Sequence, residues 1–182
     1  KKASYINAIM GRGRKVSAEV TIPKAIVENN LKTTVKKIVE INQSKVWQGS
    51  AMSGAISFNA HFANIVAAIF IATGQDLAHV VEASQGYSLF EEDENGDLYV
   101  SILLPSMVVG TIGGGTGLPK QLEARAIMLS DLITKKMPEE NLSSTLAEVT
   151  AAAVLCGELS LHAALASNNL ISAHESLGRS KK

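Results

Sequence analysis

The segment Gly110-Thr-Ile-Gly113-Gly114-Gly115-Thr-Gly117 lies between an apolar, β-branched run, Leu98 to Val109, and a stretch of helical spacing, Leu118 to Ile133. Consecutive glycines at a strand-to-helix junction permit positive φ and let backbone amides approach a ligand closely. A helix start just beyond them favours an anion, often a phosphate. A tight connection in which glycine only relieves steric conflict is the other reading, and a lone glycine motif leaves both open. Neither standard nucleotide loop fits. A Walker loop needs Gly-Lys-Ser/Thr, whereas Gly117 is followed by Leu118-Pro119-Lys120. A Rossmann fingerprint needs a second strand behind the helix, and here another helix follows.

Polar residues in apolar surroundings are the next signal. His61 and Asn64 share one helix face, either as a satisfied core pair or as the lining of a substrate pocket. Asp76 follows Gly74-Gln75 at a helix C-terminus, where the dipole is already negative. It therefore needs a cation or donors from elsewhere, with Lys1 a candidate, or it caps a following turn. Lys2, Lys32 and Lys45 have the character of solvated lysines. His174, beside Glu175, is either a general acid or an exposed tail histidine. No metal motif is present: His174-Glu175 lacks a second histidine four residues on, and His61 and His79 have no ligand spacing. No Gly-x-Ser-x-Gly elbow occurs.

These residues need elements to hold them. Val16, Ala18, Val20 and Ile22 alternate with polar residues and predict a half-buried strand stopped by Pro23. Helices are expected at Lys24–Asn30, Thr33–Asn42 and Asn59–Thr73, the last buried. Gly49-Ser-Ala-Met-Ser-Gly54-Ala is small enough to pack under a ligand. Val80–Phe90 and Leu98–Val109 read as two strands joined through an Asn95-Gly96 turn. From Pro138 to Ser167 the chain reads as a helix apolar on every face, hence central. Gly157 within it implies a close neighbour, because glycine there costs roughly 1 kcal/mol against alanine. The expected fold is α+β, a single domain without repeats or linkers.

With 182 residues, 46% of them hydrophobic, one sizeable core is expected. Seventeen basic and 17 acidic residues balance to zero net charge, which argues against a general nucleic-acid binder. The single cysteine, Cys156, excludes an internal disulfide framework and fits a reducing compartment; its apolar helix makes it read as a small core residue. No segment is expected to span a membrane, since Leu142–Ala166 carries Glu148 and Glu158, and no signal peptide is evident. The opening at Lys1-Lys2 suggests one piece of a longer polypeptide.

Eight motifs then occur in one order: Lys1-Lys2-Ala-Ser-Tyr-Ile-Asn7, Gly11-Arg-Gly13, Leu31-Lys-Thr-Thr34, Gly49-Ser-Ala-Met52, Asn59-Ala-His61, Gly74-Gln-Asp76, Gly110-Thr-Ile-Gly-Gly-Gly-Thr116 and Gly157-Glu-Leu-Ser-Leu161. With them the chain resembles, over nearly its whole length, the C-terminal part of the catalytic region of 3-hydroxy-3-methylglutaryl-coenzyme A reductase. The resemblance implies reductive deacylation of the thioester to mevalonate and coenzyme A. It implies Lys1 as the catalytic lysine that stabilises an oxyanion. Asp76 would be the aspartate tuning that lysine and an upstream glutamate, and His174 the acid that protonates the coenzyme A thiolate.

The same resemblance places Lys2, Lys32, Lys45, His61 and Asn64 on the substrate side. Leu161, Ala164 and Leu165 match the apolar wall that statin-type inhibitors cover. Ile112, Gly113, Gly114, Gly115 and Thr116 match the cofactor loop, and Arg179 a tail residue near the cofactor. The triple glycine and short tail look like class I, which implies NADPH. Gly178 departs from the usual asparagine there and leaves the tail contacts less defined. Ser180 matches a position phosphorylated in some relatives, but Glu175 stands where a kinase favours an apolar residue.

The family's catalytic Glu-Asn-Val-Ile-Gly segment and its ferredoxin-like cofactor domain have no counterpart in these residues. The chain is therefore expected to be one partial domain, residues 1–182 of the large substrate-binding domain, inactive alone and completed in a homodimer or homotetramer with sites between subunits. A soluble cytoplasmic location is expected for this segment, with an upstream anchor left open. A non-catalytic coenzyme A or nucleotide-binding module, or a purely structural subunit, are the alternatives.

Overall fold

The computed structural model describes residues 2–134 and 138–167. Three antiparallel strands, β1 (Arg14–Ile22), β2 (Tyr87–Glu92) and β3 (Leu98–Met107), form a sheet of order β1-β3-β2. Val16 faces Leu104 across the first pair and Phe90 faces Val100 across the second. Leu98, Val100, Ile102 and Leu104 are buried at alternate positions of β3, the period-two pattern of a sheet with one face on the core. The β2–β3 turn is built as its sequence suggests: Gly96 takes a φ of 81°, and the Asp93 carboxylate accepts from the amides of Asn95 and Asp97.

Helices fill the rest: α1 (Tyr5–Ile9), α2 (Lys24–Asn30), α3 (Val35–Ile41), α4 (Gly49–Met52), α5 (Phe62–Thr73), α6 (Val80–Ala83), α7 (Pro119–Thr134) and α8 (Glu139–Ala166). Thr34 caps α3 by accepting from Lys37 N, and the helix runs on as a π-helical stretch, Asn42–Gln48, into α4. The small-residue segment from Gly49 is therefore mostly helical, and Ala51, Met52 and Ser53 are exposed.

α8 packs across β1 and β3 and against α3, α5 and α7. Leu146, Ala147, Ala151, Val154 and Leu155 meet Phe62, Val66 and Phe70 of α5 in the core. Two expectations about α8 need correction. Its 141–166 stretch is, by length and composition, long and apolar enough to cross a membrane; in this fold it is the helix around which the core forms. Its burial is one-sided, and Cys156 lies on the exposed side rather than in the core. Apolar composition had hidden which face turned inward.

A third correction concerns Val80–Phe90. Asp76 caps a 3₁₀ turn, Leu77–His79, that feeds directly into α6, so the strand starts only at Tyr87. The β-branched pair Val80-Val81 suggested a strand, but the cap and the burial of Glu82 decide the local structure.

Candidate active site

The two ends of α5 carry two separate clusters. At its C-terminus, Gly74 adopts a left-handed conformation (φ 72°, ψ 29°) and its N–H and that of Gln75 return to the helix. A Cβ on Gly74 would overlap the carbonyl of Gly115, so the glycine loop lies directly on the helix end. Gln75 fastens it there. Its Nε2 donates to Gly110 O at 3.0 Å, while its Oε1 accepts from Gly110 N at 2.9 Å.

The loop is further closed by its own residues. Thr116 is buried and its hydroxyl donates to Gly113 O at 2.6 Å; the Arg125 guanidinium, from α7, donates to Thr111 O. Gly113 (φ 85°, ψ 175°) occupies a backbone region essentially reserved for glycine, and Gly114 has a φ of 55°. No atom lies within 4 Å of where a Cβ would sit on either, so both leave open space above the backbone. Side chains there would project into that open space.

Asp76 shares this space. Adjoining cavities of about 500 and 320 Å³ both include Gly74, Gln75, Asp76 and Gly114 in their walls. The carboxylate accepts from Ala78 N at 3.0 Å, the turn cap considered from sequence, and its Oδ2 stands 3.6 Å from His79 Nε2. Behind His79 lies Glu82, whose side chain is fully buried and paired with Arg12 and with His79 Nδ1 at 2.9 Å. Burial pushes the Glu82 carboxyl up, but hydrogen bonds from His79 and its own backbone, and the nearby charge of His79, outweigh that and hold it below the usual carboxylate value.

The N-terminal cluster surrounds a cavity of about 390 Å³ lined by His61, Asn64, Ile65, Gly157, Ser160, Leu161 and Ala164. Gly157 permits it: a Cβ there would stand 2.7 Å from Ile65 Cγ1. His61 Nε2 donates to Gly157 O at 2.8 Å, an assignment forced because a carbonyl only accepts. Nδ1 is left buried without a hydrogen-bond partner. His61 is thus both anchored to backbone and part of the cavity wall, so the two readings of it from sequence are compatible. Asn64 is exposed beside it.

Glu158 holds the approach to α5. Its buried carboxylate accepts from Ala60 N at 2.6 Å, His61 N at 3.1 Å and the Ser88 hydroxyl at 3.0 Å. One turn on, His162 donates from Nδ1 to Glu158 O and accepts at Nε2 from the Asn42 amide, while its ring stacks on Phe90 with centroids 4.1 Å apart. Burial disfavours the charged imidazolium and pushes the His162 pKa down.

The expected site residues therefore divide. Asp76, Ile112, Gly113, Gly114, Gly115 and Thr116 gather at one end of α5, and His61, Asn64, Leu161 and Ala164 at the other. The clusters are separated by the twelve residues of α5, about 18 Å. Lys2, Lys32 and Lys45 are exposed and Leu165 half-buried, and none of the four lines these cavities. Lys1, His174, Arg179 and Ser180 lie outside the described residues. Among the described residues, no group of three His, Cys, Asp or Glu side chains is placed to hold a metal.

Sequence reasoning passed over Gln75, Arg12, Glu82, Glu158 and His162 as site-building residues, and considered His79 only as a metal ligand. A signal existed for Glu158, a carboxylate next to the one glycine of an apolar helix. Glu82 and Arg12 are 70 residues apart and nothing local joins them.

The expectation that α5 is buried needs correction: it buries one face through Phe62, Val66, Phe70 and Thr73 and leaves Ala63, Asn64, Ala68, Ile71 and Ala72 exposed, because its apolar composition on most sides did not reveal which face turned inward. The sheet, α5 and the loop fastened to its end define an α+β domain with a glycine loop of non-Rossmann type. A family model for hydroxymethylglutaryl-coenzyme A reductase matches residues 1–179. Similar proteins include the 3-hydroxy-3-methylglutaryl-coenzyme A reductases of Pyrococcus horikoshii, 49% identical over 98% of this chain and 43% of its own length, and of Aeropyrum pernix, 51% identical over 98% of this chain and 42% of its own. Reductase 1 of Oryza sativa subsp. indica is 47% identical over 100% of this chain and 34% of its own length. The chain belongs to the hydroxymethylglutaryl-coenzyme A reductase family, and it spans about two fifths of the length of its archaeal relatives.

Proposed function

We propose that this chain is the C-terminal part of the large, substrate-binding domain of a class I reductase that converts 3-hydroxy-3-methylglutaryl-coenzyme A to mevalonate and coenzyme A. The observation that carries the reading is the shared cavity of Asp76 and the glycine loop, locked together through Gln75 and Gly110. A loop that leaves room above Gly113 and Gly114, next to a carboxylate, suits a site where a dinucleotide meets an acid–base group.

In this reading Gly113, Gly114 and Gly115 cradle NADPH, whose bound nicotinamide supplies the hydride equivalents for the thioester carbonyl. Asp76 sits beside the reacting carbonyl and sets the protonation of its neighbours. Lys1 stabilises the developing oxyanion, and His174 delivers a proton to the departing coenzyme A thiolate, which otherwise recaptures the acyl carbon. His61 and Asn64 present polar groups to the acyl portion, Leu161, Ala164 and Leu165 give it an apolar wall, and Lys45, Lys2 and Lys32 answer its charges. The separation of the two clusters on one chain, about 18 Å, is understandable if a second copy completes each site, so the working unit in this reading is at least a dimer.

The test is product stoichiometry with the full polypeptide that carries this chain. Thioester-dependent oxidation of NADPH should yield mevalonate and one free thiol for every two cofactors consumed. Binding of the thioester without any oxidation would favour a coenzyme A-binding module instead.

A further inference from the structure

Asp76, His79 and Glu82 recur every third residue along the 3₁₀ turn and α6, a spacing that stacks their side chains on one face. The order of exposure along that ladder is graded: the Asp76 side chain is 49% exposed, His79 14% and Glu82 0%. Arg12, from the turn ahead of β1, closes the buried end by pairing with Glu82. We propose that His79 is a positioning residue for Asp76, an imidazole strut that ties the cavity-facing carboxylate to the buried Glu82–Arg12 pair. The inference rests on the reading of Asp76 as the acid–base group of the reductase.

The geometry fixes how the strut works. Glu82 accepts at 2.9 Å, so His79 Nδ1 carries a proton and the ring plane is set from the buried side. Nε2 then stands 3.6 Å from Asp76 Oδ2, within ion-pair range but too long for a hydrogen bond. The link at that end is electrostatic. A proton on Nε2 turns toward the carboxylate and steadies its anion, and without it a lone pair faces the same oxygen.

His79 is not the sole influence on this ladder: Asp76 and Glu82 have further partners, and in the proposed reading Lys1 is a charged neighbour of Asp76. Arg12 pairs with Glu82 at the buried end. α5 contains no titratable residue, nor does the opposite cavity wall from Val108 to Thr116. His79 itself lines that cavity together with Asp76 and Gly113, so the strut ends where the chemistry is proposed to occur.

The experiment compares kcat, KM and the pH profile of thioester-dependent NADPH oxidation in the full polypeptide, unsubstituted and with His79→Asn or His79→Gln. Asparagine keeps a donor near the Nδ1 position but nothing at Nε2; glutamine places an uncharged amide near Nε2. His79→Asn should lower kcat about tenfold, leave the thioester KM within about twofold, and move the Asp76-dependent limb of the kcat profile to higher pH. His79→Gln should recover most of kcat at the optimum while the limb stays displaced. Asp76→Asn, which abolishes that limb, identifies it.

Unchanged kcat and profile in His79→Asn would overturn the inference, as would equal losses in both variants with no movement of the limb. An unsubstituted protein that never oxidises NADPH with the thioester would overturn the reductase reading, and this inference with it.

Discussion

The side-chain amide of Gln75 and the backbone of Gly110 exchange two hydrogen bonds, at 3.0 and 2.9 Å, as two strand residues would. The pair joins the end of α5 to the start of a loop 35 residues away, and Asp76 is the next residue along. The two bonds hold the loop beside the carboxylate.

Gln75→Glu should separate them. A carboxylate still accepts from Gly110 N but meets Gly110 O with a lone pair in place of a donor, at a cost of about 1–3 kcal/mol. The expected result is an NADPH KM raised about tenfold with the thioester KM little changed, measured by steady-state kinetics. Equal effects on both substrates would mean that the pair does not position the loop.

Gly157→Ala sets two effects against each other. Alanine gains roughly 1 kcal/mol of helix propensity, but its methyl would stand 2.7 and 2.9 Å from Ile65 Cγ1 and Cδ1. Overpacking of that kind costs about 1–3 kcal/mol and should win. Denaturant unfolding should show a net loss, and in an Ile65→Ala background the same substitution should become neutral or stabilising. A loss of the same size in both backgrounds would contradict the contact.

Glu158→Gln tests the other end of α5. Three donors converge on this buried carboxylate, and a glutamine amide nitrogen would turn N–H groups against one of them. A loss of about 2–3 kcal/mol is expected in unfolding experiments. An unchanged midpoint would mean the carboxylate is dispensable to the approach to α5.

Two groups predict how stability follows pH. His162 has its folded pKa lowered from 6.5 by burial, so the unfolded chain binds its proton first, and stability falls as pH drops below about 6.5. Glu82 has its folded pKa lowered from 4.5, so its contribution is fully present above that value and is lost as pH falls through the folded pKa. Unfolding midpoints between pH 7.5 and 5 should slope downward toward acid (roughly, over the range His162 governs) and flatten in His162→Gln. A slope identical in the variant would assign it elsewhere.

Local patterns carried much of the fold into view. Alternation in Val16–Ile22 and Leu98–Leu104, the Asn95-Gly96 turn and the apolar spacing of α5 and α8 each depend on neighbours in sequence. What escaped depends on distant partners. The 77–83 segment is helical because Asp76 caps it and Glu82 is buried against Arg12, facts that no window around Val80 contains. Cys156 shows the same limit on α8, where an apolar sequence on all sides did not reveal the exposed face. At the site, glycines and Asp76 stood out by type and Glu158 carried a local signal beside Gly157, whereas the roles of Gln75 and His79 became visible only when chain segments met.

In the proposed reading Asp76 performs acid–base work beside a cofactor loop, and Asp76→Asn in the full polypeptide tests that role most directly. The substitution keeps an oxygen able to accept from Ala78 N, so the turn should survive. NADPH oxidation with 3-hydroxy-3-methylglutaryl-coenzyme A should fall by about 10²-fold or more while both ligands still bind. Turnover within about twofold of the unsubstituted protein would contradict that role, because loss of a general acid–base group costs about 10²–10⁴-fold.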